Sequence, residues 1–142
     1  YKATRILLVD DSAMIRKNLE KVLRQAGYDN LTICSDGQEA WDFLTAGRGS
    51  ETGPCDLVLS DIEMPRMDGL HLTARIREDS SLDHLPIILF SSLITAENRK
   101  KGESVGADAQ VSKPDSKLLS EMIPKCLAKR AAMKKEAVLQ PA

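Results

Sequence analysis

The stretch LVLSDIEMPRMDGL, residues 57–70, opens as strand material and changes character at Asp61. Leu57, Val58 and Leu59 form an apolar run without alternation, as suits a strand covered on both faces. Glu63, Pro65, Asp68 and Gly69 then follow within a few positions, a composition that turns the chain. A carboxylate is thus delivered to the point where a buried strand meets its loop. RILLVDDS, residues 5–12, repeats the arrangement: an apolar run stops on two adjacent acids, Asp10 and Asp11.

The rest of the chain extends this pattern. Further strand-like runs fall at Leu31 to Cys34, Ile87 to Phe90 and, more weakly, Ala109 to Val111, and each is followed by a helical segment. In the first helix Ile15, Leu19, Val22, Leu23 and Ala26 share one face, with the N-terminus near Ser12 and Gly27 placed to end it. Segments around Gln38 to Ala46, Leu70 to Glu78 and Thr95 to Ser104 suit a second, third and fourth helix, the fourth conspicuously polar. Leu118, Leu119, Met122, Ile123, Cys126 and Leu127 form the stripe of a fifth, in which Pro124 predicts a kink or break. Five β-then-α units predict an α/β domain with a parallel, doubly wound sheet and helices on both faces. The domain is expected over residues 1–128, with a basic, alanine-rich tail at 129–142 that is helical or frayed.

Composition sets the bounds. The chain has 142 residues, and a domain of this size buries roughly 70% of its unfolded surface. Twenty Lys and Arg stand against 21 Asp and Glu, so no net field argues for nucleic acid or an anionic membrane. Cys34, Cys55 and Cys126 are an odd, widely spaced set without a CxxC pair, as expected of free thiols in a reducing cytoplasm. No apolar run is long enough to span a bilayer, and no signal-peptide pattern opens the chain. An opening Tyr1 followed almost at once by a strand suggests a piece of a longer protein.

In open parallel sheets ligands bind outside the carboxyl ends of the strands. Asp10, Asp11 and Asp61 all arrive at that edge, and if the first and third strands are neighbours they converge. Clustered carboxylates repel unless a cation sits among them, and oxygen-only ligands select a hard ion such as Mg²⁺. Ser91, ending the fourth run, adds a hydroxyl, and Lys113, just past the fifth, adds a cation. Together they predict phosphoryl chemistry, with one carboxylate as nucleophile and the ion, Ser91 and Lys113 stabilising the transferring group.

A lone acid at a strand end is usually a turn or cap residue; the ordered set of acid pair, acid, hydroxyl and lysine, each after its own strand, is not explained that way. Other features have ordinary readings. His71 and His84 lack ligand-spaced partners and suit surface or helix positions, and Trp41 and Phe43 suit packing. GRGSETGP, residues 47–54, lacks the GK[ST] ending of a phosphate-binding loop and reads as a mobile connection.

The motif set VDDS, LSDIEMPRMDG, LFSS and SKP resembles the CheY-like receiver domain of two-component response regulators, over about Arg5 to Leu127. That resemblance implies the strand order 2-1-3-4-5, with Asp61 as phosphoacceptor and a histidine kinase of the CheA kind as donor. It implies Mg²⁺, for which Mn²⁺ can substitute, held by Asp11 and Asp61 directly, by Asp10 mainly through water, and by the backbone carbonyl of Glu63. It further implies that Ser91 and Lys113 bind the phosphoryl group, that Lys113–Pro114 is commonly cis, and that the domain has only weak self-phosphorylation and autodephosphorylation activity. GQEAWDFL, LPIILFSSLI and GADAQVSKP are similar, more narrowly, to the receiver of CheV-type chemotaxis proteins, which implies a CheW-like coupling domain ahead of Tyr1 and a place beside chemoreceptors.

One position departs from the family pattern. Three residues before the lysine, where many receivers carry an aromatic switch residue, this chain has Gln110. Because a primary amide resists burial without partners, Gln110 is expected near solvent, with change carried by the loop from Ser91 to Thr95 and the start of the polar fourth helix. Leu93 and Glu63, each two residues beyond a site residue, are expected to shield or order the attacking water. A haloacid-dehalogenase-type phosphatase, an FMN binder and a docking-only receiver are the alternatives. The adjacent first acids count against the first, their repulsion of phosphate against the second, and the complete site set against the third.

Overall fold

The computed structural model describes residues 4–47, 49–50, 52–91, 95–112 and 116–139. Five strands, β1 (Arg5–Val9), β2 (Asn30–Cys34), β3 (Leu57–Asp61), β4 (Ile87–Ser91) and β5 (Ala109–Ser112), alternate with five helices. The helices are α1 (Ala13–Gln25), α2 (Gly37–Gly47), α3 (Gly69–Glu78), α4 (Ala96–Val105) and α5 (Ser116–Leu139). All strand pairs are parallel, in the order β2-β1-β3-β4-β5. The expected doubly wound α/β fold is therefore the observed one.

Period-two geometry divides β1 between two cores. Leu7 and Val9 face a cluster completed by Ala40 and Leu44 of α2 and Leu72 and Ile76 of α3. Ile6 and Leu8 face the other, with Leu19 and Leu23 of α1 and Leu119, Ile123 and Cys126 of α5. Both faces are covered, which is why β3 and β4 are buried along their whole length. Trp41 and Phe43 pack against the first core, with the Arg75 guanidinium 4.6 Å from the centre of the Trp41 ring.

Local chemistry sets the helix ends. Ser12 caps α1 by accepting from the Ile15 N–H, and Gly27 follows with φ 98°, a left-handed conformation suited to glycine. Thr95 caps α4 in the same way, and Gly106, φ 96°, ends it. α4 buries only Gly102, in keeping with its polar sequence.

The last helix and the connection before β3 bear on three of the expectations. α5 runs through Pro124 as one helix without a break; the kink alone remains compatible with the proline. It also passes position 128 without interruption, and Arg130 donates to the buried Asp108 carboxylate. Within the 47–54 connection, the Thr52 and Gly53 carbonyls accept from the Arg5 guanidinium, which also pairs with Asp56. Leu93, Lys113 and Pro114 lie outside the described residues.

Candidate functional site

β1 ends at Val9, in register with Ser60 of β3, so Asp10 and Asp61 leave adjacent strands side by side. One carboxylate oxygen from each of Asp10, Asp11 and Asp61 lies within 4.8 Å of the others. Asp10 and Asp61 are buried and Asp11 is exposed. The convergence expected if the two strands were neighbours is present.

Each acid is held by its surroundings. The Ser12 N–H donates to Asp10 Oδ1 at 2.8 Å, and the Arg16 guanidinium donates to the Asp10 carbonyl at 2.9 Å. Asp10's own N–H donates to the Cys34 carbonyl at the end of β2. Asp61 is the last residue of β3, opposite Phe90 of β4. Gly69, the first residue of α3, lets that helix approach closely, since a Cβ there would stand 2.3 Å from the Asp61 carbonyl oxygen.

Ser91 ends β4, fully buried, one position past the partner of Asp61. Its hydroxyl donates to Glu63 Oε1 at 2.5 Å. Ser112 stands in register with Ser91, so β5 also ends at this edge, immediately before the position of Lys113.

The loop after β3 is anchored from the β2–α2 turn. The Gly37 N–H donates to the Met67 carbonyl at 3.1 Å, and a Cβ on Gly37 would stand 2.1 Å from that oxygen. Arg66 adopts φ 65°, unusual for a residue with a side chain, and its guanidinium pairs with the buried carboxylate of Asp36. Burial pushes the Asp36 carboxyl up, but the Glu39 N–H and the Arg66 guanidinium outweigh it and hold it below its usual value. Neither this anchor nor Arg16 is evident in the sequence, because both depend on contacts between separate elements. Asp36, two positions past β2 and three before Glu39, carries a capping signal; its partner Arg66 carries none.

Gln110 is where the sequence reading fails. Its side chain is inward, with the residue 8% exposed. Nε2 donates to the Arg99 carbonyl of α4 at 2.8 Å. A Cβ on Gly102 would stand 2.4 Å from the Gln110 amide, so a glycine in the middle of α4 makes the space. The amide is buried because one of its two polar ends finds a backbone partner; Oε1 has none among the described residues.

Comparison with known proteins agrees with this geometry. The profile of the response regulator receiver domain matches residues 6–124. The chain is 34% identical over 113 residues to the chemotaxis protein CheY-3 of Vibrio cholerae, covering 80% of this chain and 82% of that protein. It is 31% identical over 128 residues to the response regulator Rre1 of Synechocystis, covering 89% of this chain but 53% of Rre1. It is 32% identical over 112 residues to a gliding motility regulatory protein of Myxococcus xanthus, covering 79% of this chain and only 14% of that protein. The chain thus spans about half or less of the length of two of these relatives. Among solved structures, the signal receiver domain of a histidine kinase from Syntrophus aciditrophicus matches with a TM-score of 0.77 at 30% identity, covering 89% of this chain and 92% of that one. The Mn²⁺-bound form of the response regulator Rcp1 matches with a TM-score of 0.70 at 26% identity, covering 84% and 88%. Matched over residues 6–124 and sharing 34% identity with CheY-3 over about four fifths of both chains, the chain belongs to the response regulator receiver domain family of two-component signalling.

Proposed function

We propose that Asp61 is the phosphoacceptor of this receiver. The observation that carries the reading is the approach of Asp10, Asp11 and Asp61 to within 4.8 Å beside the buried Ser91. In the transfer an Asp61 carboxylate oxygen forms a bond to phosphorus, the bond from phosphorus to the donor atom breaks, and the donor leaves with that electron pair. Asp61 is suited to attack because its strand end is fixed by pairing on both sides and by close packing against α3. Ser91 supplies a hydroxyl for a phosphoryl oxygen, and Lys113, beyond the described residues, is proposed as the cation that pairs with it.

The donor set fits a hard divalent ion, since all three carboxylates offer oxygen and exposed Asp11 leaves water access. Asp11 and Asp61 would hold Mg²⁺ or Mn²⁺ directly, Asp10 mainly through water, and the Glu63 carbonyl would add a ligand. When bound, the ion supplies positive charge to the phosphoryl oxygens. The bond from Ser12 and the Arg16 cap on Asp10 keep the first acid oriented toward that position.

The donor is proposed to be a histidine kinase of the CheA kind, in the cytoplasm. The narrower reading, a CheV-type protein with a CheW-like domain at chemoreceptors, is supported by sequence phrases alone. The receiver proposed for residues 1–128 draws on Arg130 of the adjoining segment for its contact with Asp108. Weak self-phosphorylation supplies the test. Acetyl phosphate and Mg²⁺ are expected to add one phosphoryl group by intact mass, labile in mild base and absent with a chelator. Labelling of Asp61→Asn at the rate of the unaltered chain would overturn the assignment.

A further inference from the structure

Glu63 extends from the loop after β3 to the end of β4, where its Oε1 accepts the Ser91 hydroxyl proton at 2.5 Å. That is the length of a strong hydrogen bond to an ionised acceptor. A serine hydroxyl has one proton and donates one such bond at a time. The bond that Ser91 makes to Glu63 and a bond from Ser91 to a phosphoryl oxygen therefore exclude one another.

We propose that Glu63 is an internal competitor of the phosphoryl group: its carboxylate holds the Ser91 hydroxyl in the unmodified chain and must release it before Ser91 can serve a phosphoryl group on Asp61. The inference rests on the reading of Asp61 as acceptor. Both competitors are anionic oxygen acceptors of the same hydroxyl. Glu63 is exposed while Ser91 is fully buried, so the carboxylate can swing into water and Ser91 cannot follow it. A phosphoryl group brings about −1.5 to −2 of charge to the same place, which repels the Glu63 carboxylate outward. The site thus has two exclusive arrangements, Glu63 inward on Ser91 or Glu63 outward with the phosphoryl group on Ser91.

A double-mutant cycle tests the competition. Acyl-phosphate formation from acetyl phosphate and Mg²⁺ is followed by intact mass in the unaltered chain, E63A, S91A and E63A/S91A, with D61N as the acceptor control. With Ser91 present, E63A is expected to raise the initial rate about fivefold, the factor that a hydrogen bond of about 1 kcal/mol represents. With Ser91 removed, loss of Glu63 is expected to have little effect, so the two substitutions are not additive. An equal rise in both backgrounds would show that Glu63 acts through its charge alone and would overturn the proposal, as would no rise beside Ser91. Unchanged labelling of D61N would remove acceptor and competition together, whereas failure confined to E63A leaves the acceptor standing.

Discussion

Gln110 Nε2 donates to the Arg99 carbonyl at 2.8 Å and so joins the last strand to the middle of α4. The bond occupies the space that Gly102 leaves open. α4 has little apolar attachment of its own, Gly102 being its one buried residue, so this polar contact bears unusually on where the helix sits. The structure contradicts the idea that Gln110 stays near solvent, because the energetic objection to burying an amide falls once a backbone carbonyl accepts from it.

Gly102→Ala is expected to expel the Gln110 amide from its site with little net change in stability. The three atoms nearest the added Cβ all belong to the terminal amide of the Gln110 side chain, which can turn away, and alanine raises helix propensity by about 1 kcal/mol over glycine. Urea denaturation should show a midpoint close to the parent, while the Gln110 side-chain amide loses its protection in NMR exchange. A large destabilisation with Gln110 still protected would contradict this.

Gly69→Ala should behave oppositely, because its Cβ would meet backbone, 2.3 Å from the Asp61 carbonyl oxygen and 3.0 Å from the Ile62 Cα. A loss of about 1–3 kcal/mol or more is expected, with slower labelling of Asp61 as its strand end is displaced. Gly49→Ala, with nothing within 4 Å of the new Cβ, is the control that should leave both measurements unchanged.

Asp36 makes stability depend on pH in a defined direction. Its folded-state carboxyl is held below the ordinary value by the Glu39 N–H and Arg66, against the opposing effect of burial. The unfolded chain therefore binds the proton more readily, and the stabilisation is present above the ordinary value of 3.8 and lost as pH falls through the folded one. Asparagine can still cap α2, so Asp36→Asn isolates the charge. The difference in unfolding midpoint between parent and variant should be largest near neutrality and close below the ordinary carboxyl value; a constant difference would assign it to packing.

Asp108 gathers charges at the opposite edge of the sheet. Its fully buried carboxylate accepts from the Ile87 N–H, Arg77 and Arg130. Arg130→Ala leaves two of these donors in place and is expected to cost about 1–3 kcal/mol. Asp108→Ala removes the shared acceptor from the Ile87 N–H, Arg130 and half-buried Arg77, which keeps its carbonyl partners at Gly106, Asp83 and Leu85, and is expected to cost about 3–5 kcal/mol. Equal effects in chemical denaturation would argue against a shared node.

Much of this receiver was legible as sequence because the signals are local. Ser12 caps α1 and Gly27 follows it, Thr95 caps α4, and β3 and β4 read as buried strands, since caps, turns and periodic burial each depend on a few consecutive residues. The acids also read as site residues, because a charge at the end of an apolar run must leave the core at the strand's carboxyl edge. Tertiary structure decided which residues meet. Pairing of β1 with β3 brought Asp10 to Asp61 across fifty positions of chain. Packing of α4 made Gln110 an interior residue, and the reach of one side chain set Glu63 against Ser91. Those outcomes turn on a hydroxyl's single proton, on the space beside a glycine and on a carbonyl that accepts an amide, all contributed by segments far apart in sequence.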